Sequence, residues 1–212
     1  MAEPERPRIN ELKFTLFTDA PGTEGRKSRL TFCVRDGVPR ITVYTNIPDD
    51  GGKGMITAAI NVETCLAWLK QMEDIAQGPN DVKAGLRCDA PRYENNVKVG
   101  QYNAGTLMYG KDPEGIIWIS LVAESRPKIK FEVRLSDFHA FIKGDGTELS
   151  AAEGSKYQTL ALTHALTSIY TDLASGFRPQ RDAAAPYGRT QPQAGASGRP
   201  TELSFDDVDL PF

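Results

Sequence analysis

Arg29-Leu-Thr-Phe-Cys-Val-Arg35, Asp36-Gly37 and Arg40-Ile-Thr-Val-Tyr-Thr45 decide the fold. Two runs of period-two alternation flank an Asp-Gly pair, and both positions of a tight hairpin turn favour positive φ, which Asp and Gly tolerate. The stretch therefore predicts two antiparallel strands. Leu30, Phe32 and Val34 point to a core, as do Ile41 and Val43, while Arg29, Arg35, Arg40 and Tyr44 point the other way. From Lys13 to Arg134 the alternation is mostly of this kind, the signature of a sheet with one buried and one solvated face.

Outward from the hairpin, Gly54-Met-Ile-Thr-Ala-Ala-Ile60 reads as a further strand. Asn61 then caps a helix over about Val62 to Gln77, which Gly78-Pro79 closes. Val62, Leu66, Leu69 and Ile75 line one side of it. The second half repeats the theme, with strands predicted over Val97 to Tyr102, Thr106 to Tyr109, Ile116 to Ala123 and Ile129 to Leu135. Lys111-Asp-Pro-Glu-Gly115 is a turn between two of them. A short helix is expected over Ser136 to Lys143. Ser150-Ala-Ala-Glu153 is a capping box that starts a longer helix, in which Leu162, Leu166, Ile169 and Leu173 recur at helical spacing and which Gly176 is placed to end. The order is strands, helix, strands, helix. That is an α+β fold built on an antiparallel β-sheet domain with two main helices.

The chain has 212 residues, enough for one self-sufficient core. Its 14 Pro and 19 Gly are unevenly spread, and from Arg178 to Pro200 large apolar residues almost vanish. Such a segment cannot bury enough surface to offset its ordering entropy. Four regions follow: a flexible N-terminus (1–9), an α+β domain (10–176), a disordered linker (177–200) and an acidic tip (201–212). Residues 178–212 hold four arginines and five acids, a net charge of -1 that leaves -2 for the rest of a chain whose total is -3. The bulk basicity of many nucleic-acid binders is missing, so any such site must come from local distribution.

Three cysteines, none in a CxxC pair, and two histidines suggest neither a disulfide framework nor a metal site. A reducing cytoplasm fits, and no apolar run is long enough for a leader or membrane span. His139 and His164 read as ordinary helix histidines. No serine elbow, P-loop or HExxH motif accompanies them, so neither catalytic residues nor a cofactor are expected. Asp49-Asp50-Gly-Gly-Lys53 lacks the ligand spacing of a calcium loop and reads as a mobile hairpin tip.

The sharpest feature is the terminus, Glu202-Leu-Ser-Phe205-Asp206-Asp207-Val208-Asp209-Leu210-Pro211-Phe212. Phe212 supplies a ring and the terminal carboxylate together, a combination suited to an apolar pocket with a cation at its mouth. Phe205, Asp206, Asp207, Asp209, Leu210, Pro211 and Phe212 are thus the expected partner-binding residues. This end resembles the C-terminal tip of bacterial and phage single-stranded DNA-binding proteins, in which a Pro/Gly/Gln-rich linker precedes several aspartates and an Ile-Pro-Phe or similar close. Val208 among the aspartates and Leu210 in place of isoleucine are the departures. The resemblance implies docking of replication, repair or transcription proteins such as RNA polymerase, a place in the cytoplasm near the nucleoid, and competition between the tip and DNA for one groove. A phage origin agrees with it.

In the folded part, Lys128-Ile-Lys-Phe-Glu-Val-Arg134 alternates cleanly, with Ile129, Phe131 and Val133 inward and Lys128, Lys130 and Arg134 outward. Outward cations and aromatic residues on a sheet neutralise phosphates and stack unpaired bases. The expected single-stranded-DNA residues are therefore Arg29, Arg35, Arg40, Tyr44, Lys98, Tyr102, Trp118, Lys128, Lys130 and Arg134, with Tyr109 as a further stacker. The order of elements also looks like the Whirly and positive-cofactor class of transcription coactivators, which bind unwound DNA on a sheet face. An OB barrel fits two substantial helices poorly. An adaptor whose folded domain binds protein rather than DNA stays open as the alternative. Homo-oligomer formation is a further expectation, its copy number unreadable from the sequence.

Overall fold

The computed structural model of the chain describes residues 15–17, 27–35, 37–47, 50, 54–95, 97–136 and 138–175. The expected N-terminus (1–9), linker (177–200) and acidic tip (201–212) lie outside these residues. The first sheet is antiparallel and runs in chain order, β1 (Thr15–Phe17), β2 (Arg29–Arg35), β3 (Val38–Tyr44) and β4 (Met55–Ala59). Helix α1 (Val62–Gln77) leads to a second antiparallel sheet, again in chain order: β5 (Val82–Glu94), β6 (Val97–Lys111), β7 (Ile117–Val122) and β8 (Phe131–Glu132). Helix α2 (Ala151–Ala174) ends the described chain. The fold is α+β, with two four-stranded antiparallel sheets and two helices.

Local chemistry sets several of these boundaries. Arg35 pairs with Val38 across the two-residue turn, and Gly37 sits at φ 73°, the backbone that the Asp-Gly pair was read to supply. The Asn61 side chain accepts the backbone N–H of Thr64 at 2.8 Å, satisfying a donor that the first turn of α1 leaves open. At α2 the capping box is complete: Ser150 Oγ accepts from the Glu153 N–H, and the Glu153 carboxylate accepts from the Ser150 N–H at 2.9 Å. That bond, with Lys143 and the Ser150 hydroxyl, holds the Glu153 carboxyl down to about 2.

The core lies where the inner faces of the two sheets meet the helices. Leu30, Phe32, Ile41, Val43, Ile56 and Ala58 of the first sheet and Leu107, Tyr109, Ile117, Ile119 and Phe131 of the second are all buried in it. Trp68 of α1 joins the halves, stacking on Phe32 at 6.0 Å and meeting Tyr109 edge-on at 6.2 Å. The deepest residues of α1 are Cys65, Trp68, Leu69, Met72 and Ala76; Val62, Leu66 and Ile75 pack only at its margin, so the buried stripe is rotated from the one expected. Gly110 is required where it stands. A Cβ there would come within 2.2 Å of the Val82 carbonyl oxygen and 3.0 Å of the Trp118 ring.

Four expectations need correcting. Val97 to Tyr102 and Thr106 to Tyr109 are one strand, β6, whose partner β5 had not been anticipated. The strand expected over Ile129 to Leu135 forms a ladder only at Phe131–Glu132, extended by one bond from the Val133 N–H to the Ile117 carbonyl. The short helix is absent. Its described residues belong to a tight loop in which Ile142 bridges to Glu148 and the Leu149 N–H bonds the Phe141 carbonyl, leaving Phe138, Phe141 and Ile142 exposed. Finally, Asp50 is no exposed hairpin tip. It is buried and accepts hydrogen bonds from Thr45 and from Arg126 at 2.9 Å, tying the β3–β4 connection to the β7–β8 connection.

Candidate nucleic-acid interface

Strand pairing converts the outward positions of the first sheet into rows. Arg29 lies opposite Tyr44, which lies opposite Met55; Thr31, Thr42 and Thr57 form the next row; Cys33, Arg40 and Ala59 form the third. Arg35 stands beyond them, opposite Val38. Successive rows are about 7 Å apart, two residues of strand rise. The sides of the strands are set by the core residues between them, because Leu30, Phe32, Val34, Ile41 and Val43 are all buried on the opposite face.

The electrostatics of this face are one-sided. It carries three arginines and, among the described residues, no acidic side chain and no ion pair to Arg29, Arg35 or Arg40. Arg29 and Arg35 are exposed and Arg40 is half-buried. The Arg29 guanidinium lies 4.3 Å from the centre of the Tyr44 ring, a cation–π contact that sets the two groups side by side. Arg40 Nε is shielded from water and has no hydrogen-bond acceptor, a cost to the free protein that an incoming acceptor would remove. In the threonine row Thr42 is buried, its Oγ1 lies 3.1 Å from Thr57 Oγ1, and Thr31 Oγ1 donates to the Thr42 carbonyl at 3.3 Å.

The remaining expected site residues do not join this face. Lys98 and Tyr102 are exposed on β6, in the half of the β5–β6 ribbon that extends beyond its pairing with β7. Lys128, Lys130 and Arg134 flank β8 in the second sheet, and the last two have acidic neighbours: Lys130 contacts Asp112 at 3.2 Å and Glu132 at 3.6 Å, and Arg134 is paired with Glu132. Trp118 is a correction. It is 2 % exposed, clustered with Met108 and Val122, and offers no ring to a base. Tyr109 is buried against Trp68 and bonded to Gln71. The threonine row escaped the sequence reading because Thr57 is placed beside Thr42 by register, although Thr31 and Thr42 were visible as outward positions.

His164 stands on α2, whereas His139, read as a helix histidine, lies in the loop that takes the place of the short helix; both are exposed. Among the described residues no His, Cys, Asp or Glu cluster is arranged to hold a metal ion, and no helix is long and apolar enough to cross a membrane. No protein-family model, curated protein or solved structure matches this chain.

Proposed function

We propose that this protein binds single-stranded DNA on the outer face of β2, β3 and β4, and that its acidic C-terminal end recruits proteins of replication or transcription. The observation that carries the reading is an arginine face with no acid among the described residues: Arg29, Arg35 and Arg40 beside Tyr44 and a row of threonines. Guanidinium groups neutralise phosphates, and both their planes and the tyrosine ring accept stacked bases. An open sheet suits unpaired strands because duplex bases are already stacked and their edges lie in grooves. The order of four strands, helix, four strands, helix supports the same reading, since it keeps the pattern by which the chain resembles the Whirly and positive-cofactor class. Recruitment rests on the terminal sequence alone, with Asp206, Asp207 and Asp209 ahead of Leu210-Pro211-Phe212.

The test is fluorescence anisotropy of the full chain with a labelled oligothymidine and with a duplex of equal length, at matched salt. Tighter binding of the single strand by at least about tenfold is expected, as each stacked base contributes roughly 1–3 kcal/mol. Equal affinity for the two, or no binding of either, would refute the proposal.

A further inference from the structure

Beyond Cys88, which pairs with Gly105, the β5–β6 ribbon continues through Asp89–Asn103 to Glu94–Val97 with no third strand beside it among the described residues, because β7 pairs with β6 only over Thr106–Lys111. The six residues Asp89 to Glu94 of β5 make this an arm about 20 Å long. Its root lies close to the arginine face. Thr106 stands opposite Val122, and four residues further along the chain Arg126 donates to the Met55 carbonyl at 3.3 Å, in the row formed by Arg29, Tyr44 and Met55. Four residues reach at most about 14 Å, so the arm leaves the body near the end of the first sheet that carries Arg29 and Tyr44. Opposite residues of a ladder share a face and successive residues alternate. Ala90, Arg92, Gly100 and Tyr102 therefore lie on one face of the arm. Between Arg92 and Tyr93 the register shifts, so Lys98 takes its face from its partner Tyr93, which lies with Pro91 and Gln101 on the other side. Each face thus carries one tyrosine and one cation.

We infer that the arm is a second contact for the same single-stranded DNA, stacking unpaired bases on Tyr93 and Tyr102 while Lys98 and Arg92 meet phosphates. The inference rests on the proposed single-strand binding by the first sheet and extends it. Exposed rings set among cations are what a sequence-tolerant track for a single strand needs. Tyr102 is 46 % exposed, its partner across the ladder is only Ala90, and a Cβ at Gly100 would meet nothing within 4 Å, so neither neighbour on its face crowds the ring. Tyr93 is 59 % exposed and directly opposite Lys98, which makes no ion pair among the described residues. Val97 and Val99 are also exposed and add apolar surface beside the rings, where a base taken out of its stack is better placed than in water. The charges agree with this occupant. From Arg87 to Asn103 the arm holds three cations and two acids, a net charge of +1, which favours a polyanion over a second arm of like sign. Both acids are engaged, Asp89 with Arg87 at 3.0 Å and Glu94 with Arg92 at 3.2 Å. These pairs are exposed and contribute little in water, so Arg92 can exchange Glu94 for a phosphate.

The experiment is an anisotropy titration of the full chain with labelled oligothymidine over a salt series, for the native chain and three variants: Tyr93→Ala with Tyr102→Ala, Tyr93→Phe with Tyr102→Phe, and Lys98→Gln. All three positions are exposed, so thermal unfolding should match that of the native chain. The alanine pair is expected to bind at least about tenfold more weakly with an unchanged salt slope, because stacking on a ring releases no counterions. The phenylalanine pair keeps both rings and should recover most of that loss, which a general disturbance of the arm would not allow. Lys98→Gln should lower the slope of log K against log salt by about 0.7. Native affinity in the alanine pair, a loss that phenylalanine does not restore, or a native slope in Lys98→Gln overturns the inference. If the native chain binds oligothymidine and the alanine pair binds it equally well, the arm serves another partner and the arginine face still stands. A native chain that binds no oligothymidine overturns both readings.

Discussion

Replacing Arg29, Arg35 and Arg40 together with glutamine removes three cations from a face on which no described acid balances them. If each meets one phosphate, the slope of log K against log salt should fall by about 2, since a neutralised phosphate on a single strand contributes about 0.7. Between 50 and 200 mM salt that is about 20-fold of salt sensitivity lost. Anisotropy titrations with labelled oligothymidine at four or five salt concentrations measure it. The fold should not suffer, because among the described residues these side chains make no ion pair to lose, and removing Arg40 removes a shielded nitrogen with no acceptor among them. Melting temperature should therefore stay the same or rise. A second variant, Lys130→Gln with Arg134→Gln, is the control. Those cations sit beside Asp112 and Glu132, so their loss should alter the slope much less. A triple arginine variant with the native slope would refute the placement of the site, and so would a control that loses as much.

Other expectations concern the frame that carries this face. Arg126→Ala removes the guanidinium that bonds Asp50, 1 % exposed in its side chain; breaking a buried pair costs about 3–5 kcal/mol, so calorimetry should show melting lowered by roughly 10 °C, and a fall under about 2 °C would contradict the role given to the pair. Burial pushes the Cys65 thiol up to about 12 and the Cys88 thiol to about 11, so at pH 8 a disulfide reagent should titrate neither until the chain unfolds. With folded values raised above the unfolded ones, the stability these thiols contribute is complete below the ordinary thiol range and declines as pH rises toward 11 and 12; two rapidly reacting thiols in addition to the half-buried Cys33 would refute it. Deleting Asp206 to Phe212 should leave melting unchanged and DNA binding equal or tighter, most clearly at low salt where screening is weak, whereas lost DNA binding would make the tip part of the binding surface.

What the sequence showed of the fold depended on how much each element was determined by its own residues. The Asp36-Gly37 hairpin, the Asn61 cap and the Ser150–Glu153 box are local devices, and each was legible. Strand β5 was not, because its inward residues Ala84, Leu86 and Cys88 are small or half-buried and Pro91 argues against a strand. Its pairing with β6 is a long-range fact. Ser136 to Lys143 has the composition of a short amphipathic helix, yet a helix so brief needs a surface to pack on. Here Gly146, at φ 86°, turns the chain back, and the Lys143 N–H bonds the Thr147 carbonyl instead.

The candidate site was legible in orientation and less so in charge balance. Period two placed Lys130, Glu132 and Arg134 on one side of their strand, so part of their compensation was already written in neighbouring letters, while the contribution of Asp112 required the folded chain. Trp118 sits in the run from Ile116 to Val122, apolar but for Ser120, the pattern of a strand buried on both sides, and that signal outranks its aromatic character. In β2 and β3 the same alternation has a different result. The positions between Arg29 and Arg35 on the outer face are Thr31 and Cys33, and the one between Arg40 and Tyr44 is Thr42, none able to cancel a guanidinium. Positive charge on a chain of net charge -3 is therefore concentrated by strand register, where β2 and β3 bring these arginines together without bringing an acid among the described residues with them.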